Sequence, residues 1–127
     1  MDKDLLLRDF CSRLPYGVKV GTTDNDCSLE NVWDTLCYNT FTGDVKLTHS
    51  IEDADKIVDI SEIKPYLFPL SSMKGKHRAE LFNIRTPIED SFQDTLCEID
   101  FYHRNHFDYR GLIEKGLAID CTNLNIY

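Results

Sequence analysis

Asn105-His106-Phe107-Asp108-Tyr109-Arg110-Gly111-Leu112-Ile113-Glu114-Lys115-Gly116-Leu117-Ala118-Ile119-Asp120 carries the densest local folding instructions in the chain. The Asp108 carboxylate can accept from the amides of the turn that follows it. Phe107 stands where it can pack on Leu112, so the pair reads as an N-cap with a hydrophobic staple. Lys115 falls in the last turn, where a cation suits the helix dipole, and Gly116 can take the left-handed conformation that ends a helix. The spacing therefore predicts a short helix from Asp108, followed by a strand over Leu117 to Asp120. Two turns do not hold in isolation, so Leu112, Ile113 and Leu117 are expected to point inward and anchor it.

Outward from this segment, the pattern divides into an N-terminal helix, a group of strands and two further helices. Residues 3–14 set Leu6, Leu7, Phe10, Cys11 and Leu14 at helical spacing, with Lys3, Asp4, Arg8, Asp9 and Arg13 largely opposite, which is an amphipathic helix. Pro15 stops it, and Tyr16 to Thr22 alternates as a half-buried strand does. Thr23 to Asn31 is polar and rich in turn formers. Val32 to Asn39 is dense in β-formers and reads as a central strand, joined through Thr42-Gly43-Asp44 to a partner over Val45 to Thr48. Lys56 to Ile60 is expected to add a fourth strand.

Beyond it, Pro65 and Pro69 restrict Ser61-Glu62-Ile63-Lys64 to at most a short turn, and Tyr66, Leu67, Phe68 and Leu70 are expected to pin the extended segment across the sheet. Ser71 and Ser72 offer caps for a helix over about 74–83, although Lys74, Lys76, His77 and Arg78 oppose its dipole. Thr86-Pro87-Ile88-Glu89 joins a cap, a first-turn proline and a capping-box glutamate, and opens a helix over 87–104. Its predicted inner stripe is Ile88, Phe92, Leu96, Ile99 and Tyr102 or His103. The class is α+β: a small antiparallel sheet of three to five strands, with an N-terminal helix and C-terminal helices packed on it, in one domain over residues 1–127.

Composition bounds function more than it specifies it. A chain of 127 residues can bury about two-thirds of its unfolded surface in one core. Hydrophobic residues at 42% and charged residues at 28% are ordinary globular values. A net charge of −8 argues against direct nucleic-acid binding, which draws its affinity from Lys and Arg neutralising phosphates. Mimicry of nucleic acid would require long acidic rows, whereas the densest cluster is only Glu52, Asp53, Asp55 and Asp59. The opening residues lack a signal-peptide pattern and no apolar run is long enough to span a bilayer, so the expected location is cytoplasmic, with no membrane association. Five cysteines without short paired spacing suit reduced thiols.

Three stretches carry a resemblance. His106-Phe107-Asp108-Tyr109-Arg110-Gly111-Leu112-Ile113-Glu114-Lys115-Gly116-Leu117-Ala118 resembles the C-terminal signature of a family of short hypothetical proteins from anaerobic gut bacteria and their phages and prophages. Leu5 to Val18 resembles that family's opening, and Ile63 to Met73 its middle. Together they cover about a third of the chain in the expected order. The resemblance implies a phage or mobile-element setting, and no reaction or catalytic residue. Residues 23–57 and 74–98 follow no pattern of that family.

No motif assigns a catalytic residue, a cofactor or a metal. His103 and His106, with Asp100 and Cys97 behind them, place metal-ligating side chains near one helical face, but the helix is expected to end between the histidines, and their ordinary role is exposed or capping. Ser61-Glu62-Ile63-Lys64 matches the serine-x-x-lysine pattern of some acyl-transfer enzymes without its partner motifs, so a capped turn is the plainer account. Asp53 and Asp55 lack the glycine loop of a magnesium–phosphate site. The candidate binding residues are Tyr109 and Arg110, at a helix start where amide donors can receive an anion, together with His106 and the aromatic Trp33. The competing assignment for Arg110 is a pair with a nearby acid, and for Tyr109 packing on the preceding helix.

The expectation is a non-enzymatic accessory protein that acts by binding, against host defence, either by capturing a host or phage protein or by sequestering a nucleotide signal. A protein partner is favoured, because the cations available to a nucleotide are only Lys19, Arg110 and the basic stretch 74–78. The alternatives are a metal-dependent or nucleotide-processing enzyme using His103 and His106, and a self-assembling structural or regulatory protein.

Overall fold

The computed structural model describes residues 2–22, 32–49, 54–85, 91–124 and 126–127. Helix α1 runs over Asp2–Arg13 and gives way through a short turn at Leu14–Tyr16 to β1, Lys19–Thr22. Three strands follow, β2 over Trp33–Asn39, β3 over Asp44–His49 and β4 over Ala54–Asp59. A turn at Ile60–Glu62 leads into β5, Ile63–Pro69. Helices α2, Gly75–Arg85, and α3, Ser91–Arg104, precede two short strands, β6 at Phe107–Asp108 and β7 at Ile119–Asp120. The fold is α+β with the helix first, as the periodicity predicts. The loop expected over 23–31 and the helix start at Thr86-Pro87-Ile88-Glu89 lie outside the described residues.

The strands are ordered β4-β3-β2-β1-β5-β6, with β7 also paired to β5. Pairings among β1 to β5 are antiparallel, whereas β6 and β7 join β5 in parallel. The seven strands among the described residues exceed the expected three to five, because two-residue strands are too short to show a detectable alternation. The segment expected to cross the sheet is β5 itself. Its ladder is piecewise, Ile63 to Pro65 against β1, Tyr66 and Leu67 against β7, and Phe68 and Pro69 against β6. Neither proline therefore interrupts a long ladder, which is what normally keeps proline out of an internal strand.

The main core lies between α1 and the sheet. Strand β3 alternates, burying Val45, Leu47 and His49, and Val45 and Leu47 join Val18, Val20, Val58, Ile60, Ile63, Leu67, Leu6 and Phe10. Each fully buried aliphatic or aromatic side chain contributes about 1.5–3 kcal/mol relative to exposure. A second cluster joins Leu81 of α2, Phe101 and Tyr102 of α3 and Phe107 of β6. The third gathers Tyr66, Cys121 and Ile126. Leu96, expected on the inner stripe of α3, is 47% exposed. Tyr102 and His103 are buried as expected, together with Phe101, because the last turns of α3 are the part that meets β6 and α1, while Ile88 and the Phe92 side chain lie outside the described residues.

Residues 105–120 fold differently from a capped two-turn helix. Asp108 accepts from Leu112 N and Ile113 N, both at 2.9 Å, one and two residues further on than an ordinary N-cap reaches. Gly111 explains the offset, since its φ of 74° takes the chain out of the helical region just after Asp108. What remains is one turn closed by Gly116 N on Ile113 O and Leu117 N on Leu112 O at 2.9 Å, with Gly116 at φ 74°. That is the paired pattern of a Schellman stop. Leu112 is buried as expected, with Ile113 and Leu117 packed beside it.

Candidate functional site

Residues of α1 that the sequence pattern assigns to the solvent side form the first polar centre. Asp9 and Arg13 have no exposed surface. Arg13 Nε donates to Asp9 Oδ2 at 2.7 Å and Nη2 donates to Oδ1 at 3.2 Å and to Phe107 O at 2.5 Å. A four-residue separation on a helix stacks the two side chains, and the C-terminal segment then covers the side of α1 that the apolar stripe leaves open. Arg110 Nε reaches Asp9 Oδ1 at 3.3 Å and Tyr109 Oη at 3.2 Å. Tyr109 in turn bonds His103 Nε2 at 2.7 Å and stacks on Tyr102 with ring centres 5.3 Å apart. Arg110 thus pairs with an acid and Tyr109 packs on the preceding helix, the alternatives to an anion site at this turn. Their chemistry is to fasten α1, α3 and β6 together.

Trp33, another sequence candidate, stands apart on β2. It meets His49 edge-on with centres 5.2 Å apart and carries Lys56 over its face at 5.8 Å. Its Nε1 is buried without a hydrogen-bond partner among the described residues. Ser61 closes the turn after β4 by donating from its amide to Asp59 Oδ2 at 3.0 Å, which accounts for the serine-x-x-lysine match as a capped turn.

His103 and His106 part company. His103 belongs to the Tyr109 network, while His106 lies flat on Tyr127 with ring centres 3.7 Å apart and an interplanar angle of 11°. Among the described residues no three His, Cys, Asp or Glu side chains converge on a metal position. Likewise, no helix there is long and apolar enough to cross a membrane.

His106 instead opens onto a cavity of about 440 Å³, within the roughly 300–1,000 Å³ span of small-molecule sites. The first turn of α2 forms one wall, with Lys74, Lys76 and His77, and Arg104 at the end of α3 adds a third full cation. Phe68, Phe107 and Tyr127 supply aromatic surface. Among the described residues that line it there is no Asp or Glu. Glu80 approaches from outside, accepting from Arg104 Nη2 at 3.0 Å with both side chains about half exposed, a geometry that screens the guanidinium only weakly.

Two further features mark this cavity. The α2 backbone ladder begins with His77 N and Arg78 N on Lys74 O, so the Gly75 and Lys76 amides precede it at the positive end of the helix dipole. His77 Nδ1 accepts from Lys74 N at 3.3 Å. Burial first, then the charge of Lys76, push the His77 pKa down, with Glu80 opposing and Lys74 adding to the fall. Burial together with Arg13 and Lys19 pushes His106 down to about 4.

His106 is also the residue where unfavourable features concentrate. It has φ 60°, the one positive φ outside glycine among the described residues, at the helix end where glycine or asparagine is usual. Its side chain is 8% exposed and its Nδ1 has no hydrogen-bond partner among the described residues. A buried nitrogen left unpaired costs about 1–3 kcal/mol. The backbone is held there by His106 N donating to His103 O at 3.2 Å and by His106 O accepting from Phe68 N at 2.8 Å.

Of the four candidate binding residues read from sequence, only His106 lines this cavity, joined by Lys74, Lys76 and His77 of the basic stretch 74–78. The convergence of that stretch with Arg104 and the aromatic rings is not legible along the chain, because these groups come from α2, α3, β5, β6 and Tyr127. One signal was present, four basic or titratable residues crowded at a helix start where they disfavour the helix. No protein-family model, no curated protein and no solved structure matches the chain.

Proposed function

We propose that the protein acts by binding, and that its ligand is a small anion held in the cavity at the start of α2. The observation that carries this reading is the collection of Lys74, Lys76 and Arg104 around one 440 Å³ cavity with no Asp or Glu among its described lining, in a chain whose net charge is −8. Like charges gathered at a positive helix end oppose folding, and an anion would relieve both. The balance between ligands thereby shifts from the protein partner favoured by sequence towards a sequestered small molecule. A phage or mobile-element setting, and action against host defence, rest on the resemblance of the three sequence stretches.

Titration calorimetry with inorganic pyrophosphate tests the reading. Lys76→Glu is expected to weaken binding at least tenfold while raising stability by about 0.3–1 kcal/mol, because an acid suits the first turn of a helix. Unchanged affinity in that variant, or no binding to the unmodified chain, refutes it. Capture of a protein is the second reading, favoured by Phe41, 98% exposed in the turn between β2 and β3.

A further inference from the structure

Helix α2 starts on a residue with no side-chain oxygen to cap it. Lys74 stands at the cap position, just before Gly75–Arg85, and the His77 imidazole reaches back to it, Nδ1 accepting from Lys74 N at 3.3 Å. This is one half of a capping box, in which glutamate or glutamine at the third helical position accepts from the amide of the cap residue. Histidine can do the same only while neutral. An accepting Nδ1 leaves the ring's single hydrogen on Nε2. A proton on Nδ1 would end the bond and add a cation at the positive end of the helix.

The capped amide lies where the cavity would receive an anion. Lys74, Lys76 and His77 all line it, and a Cβ on Gly75 would meet nothing within 4 Å among the described residues, so the helix start is bare on that side. The imidazole nitrogen thus holds an acceptor place that an anion oxygen could take. Its ring stands edge-on to Phe107 with centres 5.1 Å apart, and edge-on to Phe101 at 6.4 Å. Among the described residues, the charges that face it are Lys74, Lys76 and Glu80 of α2 and, across the cavity, Arg104 of α3. The other titratable lining groups are His106 and Tyr127, whose hydroxyl is bonded to Tyr66 O and Lys19 N. Strands β5 and β6 present Phe68 and Phe107.

Resting on the anion-binding reading, we propose that His77 makes this site proton-linked: the imidazole caps α2 while the cavity is empty, and an anion displaces it from the Lys74 amide and is bound together with one solvent proton on Nδ1. The Lys74 amide exchanges one acceptor for another, and the freed ring becomes an imidazolium beside the anion. In the empty site the two lysines oppose that proton, and an anion held beside them offsets their charge. The ring therefore has the higher pKa in the bound form. Affinity is lowest where both forms are neutral, rises as the pH falls through the bound pKa, and levels off below the free one. The gain is about tenfold for each unit by which the anion raises the pKa. Lys74, Lys76 and Arg104 keep their charge across this range, so His77 is the residue that sets the pH at which the ligand is held.

The test is calorimetry of pyrophosphate binding to the full chain at pH 8 and pH 6, in buffers of different ionisation enthalpy, alongside nitrogen-15 spectra of the histidine side chains. His77→Gln keeps an acceptor for the Lys74 amide and cannot take up the proton, and comparing the two chains at each pH cancels the titration of pyrophosphate itself. Between pH 8 and pH 6 the unmodified chain is expected to gain at least about threefold more affinity than His77→Gln, with a larger proton uptake on binding. Saturation at pH 6 should move its His77 Nδ1 resonance from the accepting towards the protonated position. Equal gains and equal proton uptake in the two chains, or an Nδ1 resonance unmoved at saturation, would overturn the proton link and leave the anion site standing. Absence of pyrophosphate binding to the unmodified chain at both pH values removes both. The spectra use the unmodified chain, so the outcome does not depend on how the variant folds or binds.

Discussion

Replacing Asp9 with alanine would strand the Arg13 guanidinium in the interior. Arg13 has no exposed surface, and Asp9 is its only charged partner among the described residues, through contacts of 2.7 and 3.2 Å. Its Nη1 is already without a partner among the described residues, and the remaining bond to Phe107 O carries no neutralising charge. Breaking a buried pair by removing one member costs about 3–5 kcal/mol. Arg110 would lose its 3.3 Å contact as well, but it is 26% exposed and can turn to water at little further cost.

Against a total stability of about 6–19 kcal/mol for a chain of 127 residues, such a loss is large. Unfolding entropy scales as about 2.1 cal/mol/K per residue, or about 0.27 kcal/mol/K for 127 residues. The melting temperature is therefore expected to fall by about 11–19 °C. Scanning calorimetry on Asp9→Ala, Arg13→Met and the double variant measures it. Because the interior has no further need of the charge once both are gone, the double variant should recover most of the loss and lie within about 2 kcal/mol of the parent. A fall under about 4 °C in Asp9→Ala, or a double variant as unstable as the two singles summed, would refute the claim that an isolated buried charge causes most of the loss.

Acid titration gives an independent check on the His106 environment. Its folded pKa of about 4 lies below the ordinary 6.5, so the unfolded chain binds the proton first; stability is complete above about pH 6.5 and is lost as the pH falls towards 4. About 2 kcal/mol should be gone by pH 5, with His103, also lowered by burial, adding in the same direction. Urea midpoints between pH 7 and 5 measure the slope, which should shrink in His106→Asn, and a flat profile would contradict the assigned burial. Gly111→Ala and Gly116→Ala are each expected to cost about 1–2 kcal/mol, since both glycines hold φ 74° while an added Cβ would meet nothing within 4 Å. Chemical denaturation reads that loss, and a change below about 0.3 kcal/mol at either position would show that the turn can relax.

Element identity was legible where a periodic pattern ran for several residues and ended on a clear stop. Helix α1, the β2–β3 hairpin about Gly43, strand β4 and helix α2 all fall close to their predicted places, and Gly116 ends its turn as its residue type requires. The misreadings share a cause. Asp9 and Arg13 look like a solvated face because their burial depends on Arg110 and Phe107, about a hundred residues away in the chain. Likewise, Pro65 and Pro69 argue against a strand unless the ladder is known to change partners along β5.

For the candidate site the division is sharper. The order of residues along the chain is enough to put His106 at a helix end beside a ring-rich turn, and to crowd four basic or titratable residues at the start of α2 against its dipole. That these two ends face one cavity is a matter of packing alone, because the distance between them is set by how α2 and α3 sit on β5 and β6. Packing also turned Arg110 inward to Asp9 and left the cavity's cations to α2 and Arg104. Helix formation and termination are governed by neighbours within a few residues and can be read along the chain. Electrostatic and hydrogen-bonding partners are chosen by the tertiary fold, which brings together groups that no local spacing relates.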